Sequence, residues 1–161
     1  MTGFLFALSF YLVAPVWLLM ILAPGRRVTD RLAASPLTVL PVLTVYLVLV
    51  FPVFPELWAA VSKPDIDAFR ELTALAGGAG ALWAQVLAWD LLIGQWMYRE
   101  GRRRGLSPLL MGPLLVLTIL LSPFGLLLFL VLRALRKPAA EHALPDGAEG
   151  ALPHRLGEPG D

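Results

Sequence analysis

The chain has 161 residues, 58% of them hydrophobic and only 16% charged. Soluble domains carry roughly 25% charged residues, so the composition excludes an ordinary soluble domain and points to membrane. A net charge of +1 identifies no partner until it is mapped onto loops, and nothing suggests nucleic acid; the absence of cysteine excludes disulfides, thiolate metal sites and cysteine nucleophiles.

Four apolar segments are long enough to cross a ~30 Å hydrocarbon core, which takes about 20 helical residues. They cover residues 4–22, 37–54, 81–98 and 109–132. The expected fold is therefore all-α: a four-transmembrane-helix bundle over residues 1–137, with a short interfacial helix between helices 2 and 3 and a disordered tail over 138–161. The first segment lacks a basic leader and a small-residue cleavage site, and Arg26-Arg27 follow it, so it reads as a retained helix rather than a signal peptide.

Loop one holds Arg26, Arg27 and Arg31, and loop three holds Arg99, Arg102, Arg103 and Arg104. Against these seven, the opposite face would carry Lys63, Arg70, Arg133, Arg136 and Lys137. The positive-inside rule then puts loops one and three in the cytoplasm and both termini outside. Eleven arginines against two lysines, with much Ala, Gly and Pro, suggest a GC-rich bacterial genome and hence a bacterial cytoplasmic membrane. The Arg102–Arg104 cluster is read first as a topology determinant, with contact to anionic lipid as the alternative.

In loop two, Ile66, Phe69 and Leu72 recur at helical spacing behind Asp65 and Asp67, either of which suits an N-cap. A short amphipathic helix on the membrane surface is expected, closed by Gly77-Gly78, as a structural lid or a gate over a lipid-side entrance. Prolines 15, 41, 113 and 123 fall inside the spans, where neighbouring helices can satisfy the freed carbonyls. Pro123-Phe124-Gly125 lies near the middle of the last span; two halves would each be too short to cross, so one kinked helix is expected. The tail is rich in Pro, Gly, Ala and acids without a periodic apolar face, and it holds both histidines, His142 and His154.

Ser35-Pro-Leu-Thr-Val-Leu-Pro41 and Ser107-Pro-Leu-Leu-Met-Gly-Pro113 form a faint repeat, each opening a span after a basic loop. The same offset pairs Trp17 with Trp89. Two helical hairpins about an axis along the membrane normal would give this pattern, although Ser followed by Pro is also ordinary helix-start chemistry.

Asp90 is the one ionisable side chain far from both polar flanks of its span, apart from tyrosines. A carboxylate at the bilayer centre costs roughly 2.5–3.5 kcal/mol and normally faces a bundle interior or wet cavity. On a helix it shares a face with Trp83, Val86, Leu87, Gly94 and Met97, while Gln85, Trp89, Leu92 and Trp96 form the next stripe. Gly94 would let a neighbouring element approach the carboxyl, and Gln95 adds a polar group. Tyr11, Thr44, Tyr46, Thr118 and Ser122 are the hydroxyls available on other helices. Arg99 lies nine residues along, about 13 Å, too far for an ion pair unless it snorkels inward. Asp90 is then either a hydrogen-bonding link between helices or a candidate catalytic acid, with Gln85, Trp89, Gly94, Trp96 and Tyr46 as candidate ligand contacts and no metal site. Trp58 reads as interfacial belt, as Trp83 and Trp96 also can.

Trp89-Asp90-Leu91-Leu92-Ile93-Gly94-Gln95-Trp96, followed by Arg99 and Arg102-Arg103-Arg104-Gly105, resembles the abscisic-acid-deficient-four-like family of small four-helix membrane proteins. Ala23-Pro24 and Pro123-Phe124-Gly125-Leu126-Leu127 extend the resemblance to about residues 4–133. Plant members of that family act as neoxanthin synthases. The resemblance implies a cofactor-free intramolecular isomerase acting on an epoxycarotenoid or related isoprenoid, or a protein that binds one. Protonating the epoxide oxygen needs an acid, for which Asp90 stands, and forming the allene needs a base. Family members often carry histidine five residues before the aspartate; Gln85 stands there in this chain and can orient an oxygen but not shuttle a proton. The alternative is a non-catalytic membrane assembly or lipid-organising protein in which Asp90 is structural. A small transporter ranks third, because four helices and one acid would need a homo-oligomer. Membrane lipids are the expected surroundings in every case.

Overall fold

The computed structural model describes residues 1–135, which leaves the tail over 138–161, together with Arg136 and Lys137, outside the described residues. The described chain is all-helical, with eight α-helices: α1 (Thr2–Leu22), α2 (Arg27–Ala34), α3 (Leu40–Val50), α4 (Phe54–Ser62), α5 (Ile66–Ala74), α6 (Ala76–Arg103), α7 (Pro108–Leu120) and α8 (Ser122–Leu135).

Three stretches are long and apolar enough to cross a membrane: Thr2–Leu22, Pro36–Ser62 and Ala76–Arg103. The second is longer than the expected span because 3-10 turns at Pro36–Val39 and Phe51–Val53 join α3 to its neighbours. Pro36, Pro41, Pro52 and Pro55 all occupy first-turn positions, where a missing N–H costs nothing. These spans form a three-helix core. Small residues on α6 set its tightness: Ala84, Ala88 and Gly94 are buried, and a Cβ on Gly94 would collide with the six-membered ring of Trp17. Trp17 packs opposite Gly94 and Phe6 stacks on Trp83 at 5.3 Å, so α1 runs parallel to α6. Leu49 meets Gly80 while Gln95 reaches Thr38, so α3 runs antiparallel to α6.

The fourth expected span is not a kinked single helix. The chain breaks at Leu121 (φ −144°, ψ 70°), and α8 begins afresh with Pro123 in its first turn. Gly125 sits directly against the backbone of Thr118, so α8 folds back on α7. Met111 packs on Gly101 and Thr118 on Met97, which makes α7 antiparallel to α6. Ser122 then faces Asp90, Phe129 meets Trp96 at 5.4 Å, and Arg133 pairs with Glu100 at 3.0 Å, so α8 runs parallel to α6. With 13 and 14 residues, α7 and α8 are each about 20 Å long, too short for a ~30 Å core. The pair is a re-entrant hairpin whose tip reaches the middle of α6.

This fold-back corrects two further expectations. The described C-terminal end lies beside loops one and three, opposite the start of α1, because Glu100 accepts from both Arg104 (2.7 Å) and Arg133 (3.0 Å) and Arg104 also donates to the Arg133 carbonyl (2.9 Å). The described C-terminal end and the start of α1 therefore lie at opposite ends of the bundle. The second Ser-Pro motif opens half of a hairpin instead of a span, so the two halves of the chain are not matching hairpins.

The short helix expected in loop two is α5, capped by Asp65, whose Oδ2 accepts from the Asp67 and Ala68 amides at 3.2 Å. Gly77-Gly78 do not close it; they form the first turn of α6, where Gly78 lies against the Leu72 carbonyl. Loop one contains a helix the apolar pattern did not announce, α2, which buries Thr29 and Ala33.

Candidate functional site

Asp90 lies near the midpoint of the 28-residue α6, half-buried, facing the tip of the hairpin. The break at Leu121 brings the start of α8, with Ser122, to that level. Non-helical backbone at membrane depth is tolerated only where protein or a wet cavity satisfies it, and the tip lies against α6. Of the five hydroxyls considered from sequence, Ser122 is the one brought beside the carboxyl. Thr118 is buried but donates to the Leu114 carbonyl (2.8 Å), Thr44 donates to Leu40 (3.0 Å), and Tyr11 is exposed.

The other predicted residues separate around α6. Gly94 is buried one turn from Asp90, but it receives the Trp17 ring rather than another backbone. Trp89 is 58% exposed and turns to the outer surface with Leu92. Gln85 is half-buried and five residues from Asp90, about 140° around the helix, on the Trp89 side. Tyr46 is half-buried between the two apolar clusters of the core; the α3–α6 register sets it nearer the level of Gln85 than of Asp90. Trp96 packs edge-on against Phe129, with the Arg133 guanidinium 5.5 Å from its ring centroid.

Leu92, Ile93 and Trp96 of α6 and Leu126 and Leu130 of α8 line an apolar groove of ≈ 420 Å³ that begins one turn from Asp90 and opens sideways. Two turns along the same face, in the other direction, the Trp83 Nε1 is buried without a hydrogen-bond partner among the described residues. The site is thus a carboxyl and a hydroxyl near the middle of α6, one turn from a short apolar groove. No cluster of residues suited to a metal ion occurs among the described residues.

Two polar networks that sequence reasoning did not assign hold this arrangement. Gln95, only 2% exposed, donates to the Thr38 Oγ1 at 2.5 Å and the Leu32 carbonyl at 3.2 Å, so it faces loop one and not Asp90. Tyr98 donates to Asp30 at 2.8 Å and accepts from the Gly25 amide at 2.9 Å. Gly25 has φ +81°, which glycine adopts without strain, and Arg102 pairs with Asp30 at 3.7 Å. The Ala23-Pro24-Gly25 turn is thereby fastened to the end of α6. A polar residue five positions beyond Asp90 was the available signal for Gln95, but its side was legible only once α2 was placed.

No curated protein and no solved structure matches the sequence. A family model described as ABA DEFICIENT 4-like matches residues 4–129, a stretch that includes the three-helix core, Asp90 and the hairpin as far as Phe129. With most of its length accounted for in this way, the chain belongs to the ABA DEFICIENT 4-like family.

Proposed function

We propose that this membrane protein binds an elongated apolar ligand of the carotenoid or isoprenoid class in the groove between α6 and α8, with an oxygen of the ligand held by Asp90. The observation that carries this reading is the placement of one carboxyl at mid-depth, at the tip of a broken helical hairpin, beside an apolar groove open to the side. An intramembrane ionisable residue costs enough that retention implies a partner. Ser122 occupies one part of the carboxyl and leaves acceptor or donor capacity for a ligand.

For the isomerisation associated with plant members of the family, Asp90 donates its proton to the epoxide oxygen as the C–O bond breaks. Loss of the vinylic proton then forms the allene. Asp90 is the one carboxyl at that depth among the described residues, so its carboxylate takes that proton and the acid is restored. No atom is gained or lost and no cofactor takes part. The positive-inside rule puts the arginine-rich end, with loops one and three, in the cytoplasm.

The test is expression in cells that accumulate epoxycarotenoids, with chromatography of the extracted pigments. A new isomer that disappears in Asp90→Asn, at unchanged protein level, supports the reaction. Pigment that co-purifies without a new isomer supports binding alone. Absence of both removes the reading. The contact with Ser122 favours a second interpretation, a non-catalytic membrane assembly or lipid-organising protein in which Asp90 fastens the hairpin tip; there, Asp90→Asn lowers the amount of folded protein and no pigment is retained.

A further inference from the structure

At the arginine-rich end, a cavity of ≈ 280 Å³ is lined by Met20, Tyr98, Arg102, Ser107, Pro108 and Met111, among others. A second, larger groove of ≈ 570 Å³ runs along the outer face of α7 through Leu109, Gly112, Val116 and Leu120, with Ile21 and Pro108 at its head. Pro108 belongs to both linings, and Met20 and Ile21 are consecutive, so the two are neighbours. The groove spans about 17 Å from Leu109 to Leu120 and is apolar throughout its lining. The arrangement suits an amphiphile: a cavity with polar lining at the arginine-rich end and, beside it, an open apolar groove along α7.

Charge selects the head. This end gathers Arg26, Arg27, Arg31, Arg99, Arg102, Arg103, Arg104 and Arg133 against two carboxylates, Asp30 and Glu100. Glu100 serves Arg104 and Arg133, and Asp30 pairs with Arg102 at an Oδ1–Nε distance of 3.7 Å, with both side chains nearly half exposed. A pair of that geometry is weak; the Arg102 Nη groups lie beside Gly25, and a guanidinium this exposed can turn to bind a phosphate in the bidentate manner it favours. The opposite end carries Lys63 and Arg70 with Glu56, Asp65, Asp67 and Glu71, so an anionic head has no comparable site there among the described residues.

We propose that the protein holds one anionic phospholipid at this end, its phosphate against Arg102 and an acyl chain along the outer face of α7. The site is separate from the α6–α8 groove and does not depend on the carotenoid reading.

The test uses the purified full chain in detergent, with retention of added lipid measured by native mass spectrometry and by the thermal midpoint. Three probes separate head from tail: phosphatidylglycerol, phosphatidylcholine with matched chains, and soluble glycerol phosphate. The expected result is retention of phosphatidylglycerol over phosphatidylcholine, and no protection by glycerol phosphate. R102Q should reduce that preference roughly tenfold, the scale of a lost charge-assisted hydrogen bond, while R103Q, outside the cavity lining, should preserve it. Gly112 has open space where a Cβ would stand, so Gly112→Leu fits the helix, fills the groove and weakens retention of phosphatidylglycerol. Equal retention of the two lipids, an unaltered preference in R102Q, or equal protection by glycerol phosphate would each overturn the proposal. If R102Q does not fold, the Gly112→Leu result decides it, and retention unchanged there rejects the site.

Discussion

The three-helix core and the α7–α8 hairpin are both built from apolar helical segments, yet they solve opposite problems. In the core, α1, α6 and the continuous Pro36–Ser62 stretch that contains α3 are each long enough to cross, so packing between them has to be specified. Small residues on α6 do this, with Trp17 seated on Gly94 and Leu49 on Gly80. In the hairpin, each helix is too short to cross, and at the break the Leu121 N–H donates to the Leu117 carbonyl while the Leu121 carbonyl accepts from the Phe124 and Gly125 amides. The hairpin is held at its base by Glu100, Arg104 and Arg133 and meets a polar partner at its tip. Asp90, near the midpoint of α6, lies at the level where the α7–α8 hairpin turns.

The largest expected effect concerns topology. A hairpin that turns back puts residues 105 and 134 on one side of the membrane and residue 63 on the other, whereas a crossing fourth helix would separate 105 from 134. Because the chain has no cysteine, single-cysteine variants at these three positions can be read directly with a membrane-impermeant maleimide in oriented vesicles. The expectation is all-or-none: Gly105→Cys and Ala134→Cys label together, and Lys63→Cys labels from the opposite side. Opposite labelling of 105 and 134 would abolish the distinction between core and hairpin.

Much of the core was legible because a span announces itself by length and hydropathy. Asp65 likewise announced α5 through its capping position, and Asp90 stood out by depth alone. The hairpin was hidden by the same rule. A run of apolar residues from Leu109 to Leu132 has the length of one tilted span, and hydropathy does not distinguish one crossing helix from two half-length ones. The signal that did exist was Ser122-Pro123, a third Ser-Pro pair like those at Ser35-Pro36 and Ser107-Pro108, each of which begins a new helical segment. The site was legible to the same extent: the carboxyl could be named, but its partner depended on where the fold-back placed Ser122. Trp89 and Gln85 share a helix with Asp90, and helical phase alone does not say which stripe meets protein and which meets lipid.

The second comparison sets one glycine against another. Gly94→Ala drives a methyl into the Trp17 ring between two rigid, full-length helices. Overpacking of this kind costs about 1–3 kcal/mol and occasionally more. The upper end is expected here, because Trp17 is buried and has no free direction to move. Gly112→Ala, on the outward face of α7, meets nothing within 4 Å and should be neutral or stabilising by up to about 1 kcal/mol through helix propensity. Thermal unfolding in detergent measures both. Pairing Gly94→Ala with Trp17→Phe should recover part of the loss, and failure to do so would show that the close contact is not what orders the core.

The smallest effect tests the tip. Ser122→Ala removes the hydroxyl beside Asp90 without changing the hairpin backbone. Hydrogen bonds between membrane helices average about 0.6 kcal/mol and reach about 1.7 in double-mutant cycles, so a loss in that range is expected in equilibrium unfolding. A cycle combining Ser122→Ala with Asp90→Asn isolates the pair, since two partners in one hydrogen bond should show less than additive losses. Full additivity would mean the two side chains do not act on each other. Coupling well above that range would mean that the contact fastens the hairpin far more strongly than a hydroxyl–carboxyl bond does. The structural interpretation of Asp90 would then gain at the expense of the ligand-binding one, because a carboxyl committed that strongly to Ser122 has little left to offer an oxygen arriving through the groove.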